Sequence, residues 1–511
     1  MNHWIIVTVI LPALMAPFIV AATRYDILLQ RVFGIAASVA LLAVSAGLYW
    51  LASDGLIRPY ALGNWPAPFG IILVLDRLSA LMLLLTGVLA VVVVIYAAQG
   101  WDRRGRHFHA LFQFQLMGLN GAFLTGDVFN LFVFFEVLLI ASYGLMLHGA
   151  GARRITEGLK YVAINLAGST LFLFAVGLIY GLTGTLNMAD LAVKVPLVPE
   201  SDLALLRLGG ALLLIVFAIK GALVPLHLWL PGTYGAASPP VAAFFAIMTK
   251  VGAYAILRVY VLIFGGGAGA ASWLAEPYLL PAAAATLLLG MIGVLASRTM
   301  TSLAVYALVG SVGTLMLAVG LFDEPGVSAS LYYLVHSTLA GAALFLLADL
   351  VARRRGGAGD RLVAAPPFAH LDLLAGLFFL SAIAAVGLPP LSGFIGKILI
   401  LQALADQPHW ATLWTVVLVG SLFALIGFAR AGSVLFWKCL ADQGRPEPDR
   451  PSHDTAGLCA IAVLVAGPVL LALFAGPAMD AMDATTRQLF TPQRYVEAVL
   501  GSRTDLARVL P

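Results

Sequence analysis

Apolar residues in this chain come in long unbroken runs, without the alternation of a half-buried strand or the 3.6-residue spacing of a surface helix. About fourteen runs can be marked, near 3–22, 32–53, 71–98, 108–125, 128–148, 158–183, 204–230, 238–264, 277–297, 300–321, 327–350, 372–404, 411–437 and 456–478. A bilayer core of about 30 Å takes roughly 20 apolar residues per helix. Only helices and closed barrels satisfy their backbone in lipid, and continuous runs select helices over alternating strands. The expected fold is an all-α polytopic membrane protein with about fourteen transmembrane helices in a single transmembrane domain, 1–511. No linker separates soluble domains. The tail from about 479 to 511 is more polar and can form a surface helix.

Composition removes the other classes. Hydrophobic residues make up 61% of the chain and charged residues 11%, where a soluble protein carries about 25% charged. The two cysteines, Cys439 and Cys459, have no metal or redox spacing. No His or carboxylate cluster has metal-ligand spacing, and no glycine loop has phosphate-binding form, so no metal and no cofactor is expected. A net charge of +4 without a basic, aromatic-interleaved run gives no support to nucleic-acid binding. No Lys or Arg precedes the first run, which reads as a retained helix and not a cleaved signal.

Loop charges orient the chain. About sixteen basic residues fall in the odd-numbered loops, among them Arg353, Arg354, Arg355, Lys438, Arg445 and Arg450. The even loops clearly hold only Arg58 and Lys194, and the tail adds Arg487, Arg494, Arg503 and Arg508. Positive loops stay cytoplasmic, which predicts both termini on the extracytoplasmic side. An even number of spans agrees with this.

Lysine placement is the most informative feature. The chain has six lysines, and three lie deep in apolar runs: Lys220 in "LLLIVFAIKGALVPL", Lys250 in "VAAFFAIMTKVGAYAIL" and Lys397 in "PPLSGFIGKILILQAL". Glu136 stands mid-span in "FNLFVFFEVLLIASYGL". Each such charge costs about 2.5–3.5 kcal/mol at mid-bilayer. Static structural ion pairs are the alternative to a functional row. An ammonium taken out of water can give up its proton, whereas a guanidinium keeps it, and a carboxyl in the same setting can hold one. Buried lysines and a glutamate can therefore pass protons. Helix breakers stand beside two of the lysines: Gly221 and Pro225 after Lys220, Pro389 and Pro390 before Lys397. Each span is expected to break in mid-membrane, exposing backbone to a cavity. Breaks in corresponding places suggest an internal repeat.

The remaining signals are weaker. His227 in "VPLHLWLPG" and His336 in "LYYLVHSTLAGAALF" can relay protons, with a neutral, carbonyl-bonded histidine as the alternative for each. His148 reads as a helix boundary. Asp127 is expected to cap the Glu136 helix, and Asp76 to pair with Arg77.

The stretches "FNLFVFFEVLLIASYGLMLHG", "GSTLFLFAVGLIYGLTGTLNMADLA", "FAIKGALVPLHLWLPGTYGAASPPVAAFFAIMTKVGAYAILRVY" and "GLPPLSGFIGKILI" resemble the antiporter-like subunits shared by respiratory complex I, membrane-bound hydrogenases and multisubunit Mrp (Mnh, Pha) cation/proton antiporters. The similarity runs from about 60 to 440 and is greatest to the D-type Mrp subunits. It implies fourteen helices, with two inverted five-helix repeats near 108–264 and 277–437 and broken helices 7 and 12. It also implies a charged mid-membrane row, to which Glu136, Lys220, Lys250, His336 and Lys397 correspond. Gly221, Pro225, His227, Pro389 and Pro390 would be supporting residues. The glutamate and seventh-helix lysine are a charge pair in the family. One departure is the turn "GTYGAASPPVAA" after "WLP", which lacks the histidine common in complex I members.

The resemblance implies a transporter subunit and not an enzyme, in a bacterial inner membrane, assembled with the A-, B-, C-, E-, F- and G-type Mrp subunits. External protons would be exchanged for cytoplasmic Na⁺ or K⁺. Protons would pass along Lys250, His336 and Lys397, with the Glu136–Lys220 pair setting the charge of the row. The alternatives are a proton-pumping membrane-arm subunit of complex I or a hydrogenase, and a scaffold whose charges only pair statically.

Overall fold

The computed structural model describes residues 3–441 and 455–501. The basic residues Arg445, Arg450, Arg503 and Arg508 of the orientation count lie outside the described residues.

The apolar runs are helices, except that the run marked at 71–98 opens with a strand and its helix starts only at Arg77. The first pair, α1 (His3–Ala22) and α2 (Ile27–Ala52), leads into a short antiparallel hairpin of β1 (Arg58–Ala61) and β2 (Ile72–Leu75), with Arg58 opposite Leu75 and Tyr60 opposite Leu73. Then follow α3 (Arg77–Ala97), α4 (Phe108–Leu124), α5 (Val128–Leu147), α6 (Ala152–Thr183), the short α7 (Met188–Lys194) and α8 (Leu203–Gly221). The chain continues through α9 (Trp229–Ala236), α10 (Pro239–Phe245), α11 (Met248–Leu262), α12 (Glu276–Ala296), α13 (Met300–Val319) and α14 (Glu324–Arg354). Last come α15 (Leu371–Val386), α16 (Ser392–Leu404), α17 (Trp410–Gly432), α18 (Thr455–Leu473), α19 (Ala475–Leu489) and α20 (Pro492–Leu500). Among the described residues twelve helical segments are long and apolar enough to cross a membrane. The run at 108–125 is a helix of 17 residues, and the run at 372–404 is two shorter apolar helices.

Both expected breaks are present. Helix α8 ends at Gly221, Ala222 takes a left-handed conformation, and the chain turns through Pro225 and His227 before α9 starts at Trp229. Helix α15 ends at Val386, Gly387 is left-handed, and Pro389 and Pro390 precede α16. A third break is not legible in the sequence. The run at 238–264 is two helices, α10 and α11, interrupted at Ala246 and Ile247. The Tyr234 hydroxyl donates to the Phe245 carbonyl at 3.0 Å, satisfying an acceptor at that break with a side chain from the preceding helix.

Caps set several starts. Asp127 accepts from the Asn130 amide at 2.8 Å at the head of α5, as expected. The expected Asp76–Arg77 pair is not formed. Asp76 caps α3 through Ser79 and receives the two terminal Arg258 nitrogens, at 2.5 and 2.9 Å, from α11, while the Arg77 guanidinium donates to the Ser53 carbonyl. Two isolated bridges tie linkers together: Asp127 with Asn187, and Thr299 with Arg361. The enclosed centre is α10, α11 and α14, whose residues are almost all buried, and the row lysines and histidine lie on or against these helices.

Candidate functional site

The first cluster surrounds the end of α8. Lys220 occupies its last turn, where the negative end of the helix dipole favours a cation. Its Nζ donates to Asn165 Oδ1 of α6 at 2.9 Å. Asn165 is oriented for this because its own Nδ2 donates to the Tyr161 carbonyl at 2.8 Å. One turn further along α6, the Ser169 hydroxyl donates to Glu136 Oε1 of α5. Among the described residues Glu136 and Lys220 make no ion pair with each other; α6 presents each with a neutral polar partner.

Packing fixes this geometry. Tyr161 stacks on Trp229, ring centroids 5.2 Å apart, and the Trp229 indole donates to the Ile219 carbonyl at 3.1 Å, capping the open end of α8. A cavity of about 10 Å³ is bounded by Lys220, Asn165, Tyr161, Trp229 and Met248, which is about the space of one water. Gly252 of α11 lies so close to α8 that a Cβ there would be 2.6 Å from the Gly221 nitrogen. Thr249, three residues earlier on the same face of α11, turns its carbonyl towards α8 as well, 3.9 Å from where a Gly221 Cβ would stand.

Lys250 is the third residue of α11 and fully buried. Its Nζ has one long hydrogen bond, to Thr249 Oγ1 at 3.4 Å. The break before α11 thus places Lys250 at a helix start, where the dipole gives a positive charge no support.

The second cluster is built on α16. Lys397 Nζ donates to the Val386 carbonyl at 2.6 Å and to Ser421 Oγ of α17 at 2.8 Å. Val386 is the last residue of α15, so the helix break supplies the acceptor. His336, buried on α14, contacts Ser392 Oγ through Nδ1 at 2.8 Å. Its other ring nitrogen faces Gly393, where a Cβ would be 2.9 Å away.

The row residues therefore fall into two groups: Glu136, Lys220 and Lys250 around α5, α6, α8 and α11, and His336 with Lys397 around α14, α16 and α17. Among the described residues no direct hydrogen bond joins them. Of the supporting residues, Gly221 packs under α11, and Pro225, Pro389 and Pro390 shape the breaks. His227 sits in the α8–α9 turn with a buried, unpartnered Nδ1 and touches no row residue by hydrogen bond. Sequence patterning does not single out the partners Asn165, Ser169, Ser392 and Ser421. Asn165 and Ser169 do carry a signal, polar residues four apart on an apolar helix.

A family described as NADH:quinone oxidoreductase/Mrp antiporter, transmembrane, matches residues 125–424, a segment holding all five row positions. The chain is 42% identical to a probable K⁺/H⁺ antiporter D-type subunit from Rhizobium meliloti, covering 98% of each. It is 35% identical to the D-type subunit of an Na⁺/H⁺ antiporter from Bacillus subtilis, covering 98% of this chain and 100% of that one. A chain in the structure of the Mrp complex from Dietzia sp. superposes with a TM-score of 0.86 at 29% identity, over 98% of this chain and 100% of that chain. The chain is a multi-pass membrane protein that belongs to the NADH:quinone oxidoreductase/Mrp antiporter transmembrane family, among its D-type antiporter subunits.

Proposed function

We propose that this chain is the proton-translocating subunit of an Mrp-type antiporter complex, exchanging external protons for cytoplasmic Na⁺ or K⁺ in a bacterial inner membrane. The observation that carries this reading is the placement of three buried lysines and a buried histidine on α8, α11, α16 and α14, each lysine beside a helix break. A static scaffold would pair its buried charges, because an isolated one is costly. Here no lysine of the row touches a carboxylate among the described residues, and every hydrogen-bond partner is neutral. Such ammonium groups can release and regain protons without breaking an ion pair. The row would work in two stages, with Glu136 and Lys220 biasing Lys250 through α6, and His336 and Lys397 forming the far stage. Water would bridge the stages.

Two inverted five-helix repeats, 108–264 and 277–437, fit this division. They are supported by the bridges Asp127–Asn187 and Thr299–Arg361 and by the left-handed caps Ala222 and Gly387 at the two breaks. Both termini are placed outside, on the loop charges. The other Mrp subunits would complete the exchanger. The full-length likeness to D-type antiporter subunits favours this over a redox-enzyme membrane arm.

The test is cation-dependent proton movement in everted vesicles from an antiporter-deficient bacterium carrying the whole gene cluster. Respiration sets the gradient, and Na⁺ or K⁺ is added. Collapse with wild type and none with Lys220→Ala, at equal assembly, is the expected result. No response to either cation overturns the antiporter reading.

A further inference from the structure

Polar residues recur at every fourth position along α6: Glu157, Tyr161, Asn165 and Ser169. Residues so spaced share one face of a helix. The last two serve the row, Asn165 holding Lys220 and Ser169 holding Glu136. The first two lie on the seam between α6 and α9. There Arg154 Nε donates to the Ala236 carbonyl at 2.8 Å, Glu157 lies against Gly232, and Tyr161 stacks on Trp229. About 6 Å of helix rise separates Glu157 from the Tyr161–Trp229 stack. The same rise separates that stack from Asn165 and its bond to Lys220.

The neighbours on α6 do not account for the placement of Glu157. Lys160 donates to its Oε1 at 2.8 Å, but the lysine side chain is 62% exposed, and an exposed pair of this kind contributes little. Glu157 itself is only 20% exposed. Its other oxygen is turned to α9, where a Cβ on Gly232 would overlap Oε2. Glycine at 232 leaves the space that the carboxylate fills. Residues 229–245, which make up α9, the turn and α10, include no Asp, Glu, Lys, Arg or His, so the carboxylate at this seam comes from α6. Arg153 and Arg154 stand one turn earlier on α6, and α5 brings Glu136, Tyr143 and its cap residue His148. On the far side of the aromatic stack is the cavity of about 10 Å³ bounded by Tyr161, Asn165, Trp229 and Lys220. The Tyr161 hydroxyl is 2.8 Å from Ser142 Oγ of α5.

We propose that Glu157 is the port through which Lys220 exchanges protons with the cytoplasmic side. The side follows from the positive loop at the start of α6, which holds Arg153, Arg154 and Lys160. Lys220 gives a proton to a water in the cavity. That water passes one of its own across the Tyr161 rung, by the tyrosine hydroxyl or a second water, and the Glu157 carboxylate takes it up and releases it to the cytoplasm. Only N–H and O–H bonds are made and broken. The aromatic stack keeps the cavity from opening to bulk water, so Lys220 is reached by protons and not simply solvated. The assignment rests on the antiporter reading of the row.

The test measures cation-dependent proton movement in everted vesicles carrying the whole complex, whose medium meets the cytoplasmic face. Glu157→Gln is expected to cut the rate about tenfold or more at equal assembly, and Glu157→Asp to stay within about threefold of wild type. Lys160→Ala, which removes only the surface pair, should stay within about twofold. Gly232→Ala puts a methyl in the place of the carboxylate and should cost about fivefold. Combined with Glu157→Gln it should cost nothing more, since both act on one step. The loss in Glu157→Gln should change with the pH of the medium, whereas a fold defect lowers the rate by the same factor at every pH. A Glu157→Gln rate within about twofold of wild type, a loss independent of pH, or an equal loss in Lys160→Ala overturns the proposal. A wild type with no cation response overturns the antiporter reading alone. The same variants are then compared for proton entry into proteoliposomes driven by a potassium diffusion potential. Unchanged flux in Glu157→Gln, or no flux in wild type, overturns the port as well.

Discussion

The Asn165 amide oxygen accepts the Lys220 ammonium at 2.9 Å, and the amide nitrogen of the same side chain is tied to the Tyr161 carbonyl. The amide therefore cannot turn over without losing both bonds. A hydrogen bond to a charged group contributes about 1.5–3 kcal/mol, and each 1.4 kcal/mol is about a factor of ten. Asn165→Leu is expected to cut cation-dependent proton movement about tenfold or more while the chain still reaches the membrane. Asn165→Asp places a carboxylate against the ammonium and should lock it as an ion pair, with a comparable loss. Ser169→Ala, which only frees Glu136, should be milder. Vesicle assays normalised to the amount of assembled complex separate these cases; an Asn165→Leu rate within twofold of wild type would remove α6 from the mechanism.

Lys397 leans on the broken end of α15. Arginine at that position keeps a charge but holds its proton in almost any setting. Lys397→Arg should therefore assemble normally and fail to transport, an outcome a static structural charge would not give. Gly387 is left-handed, with φ of 80°, and a Cβ there would meet Lys397 Cδ at 2.7 Å. Gly387→Ala adds about 1–2 kcal/mol of backbone cost and displaces the lysine. Both transport and thermal stability should fall, which distinguishes it from Lys397→Arg.

Much of this arrangement is legible in the chain. Helical spans follow from run length, since lipid demands about 20 apolar residues. The breaks at Gly221 and Gly387 follow from glycine and proline. The break before Lys250 has no such residue next to it. It is met by Tyr234 from the preceding helix, and a side-chain contact between helices leaves no local trace. The partner of Asp76 is hidden for the same reason: Arg77 is adjacent in sequence, but Arg258 reaches the carboxylate from another helix with two nitrogens. The row residues stand out because charge in an apolar run is rare. Ser392 and Ser421 do not, because a hydroxyl in a transmembrane helix commonly bonds its own backbone.

Asp76 and Arg258 are 4% and 2% exposed and doubly hydrogen-bonded. Removing one partner leaves a buried charge alone, at about 3–5 kcal/mol. Arg258→Met should lower thermal stability of the complex and its amount in the membrane. Asp76→Asn with Arg258→Met should recover most of the loss, because no unpaired charge remains. Equal loss in the single and double variants would mean that the geometry of the pair matters and its charge does not.

Asp102, in the connection between α3 and α4, tests the acid side. Burial alone would raise its carboxyl, but hydrogen bonds from Arg31, at 2.6 and 2.8 Å, and from His109 outweigh this and hold it down at about 2. An unfolded aspartate titrates near 3.9. A folded value below the unfolded one stabilises the protein above the unfolded value and loses that contribution as pH falls through the folded one. Wild type should therefore exceed Asp102→Asn in stability by a constant margin of about 2 kcal/mol from neutral pH down to about 4. The margin should then narrow as pH falls through about 2, and close only below it, where the folded carboxyl is protonated too. Helical content of the purified complex, followed by circular dichroism during thermal unfolding at stepped pH, reads this directly. A margin that widens on acidification would mean that the Arg31 contact is not what holds the carboxylate.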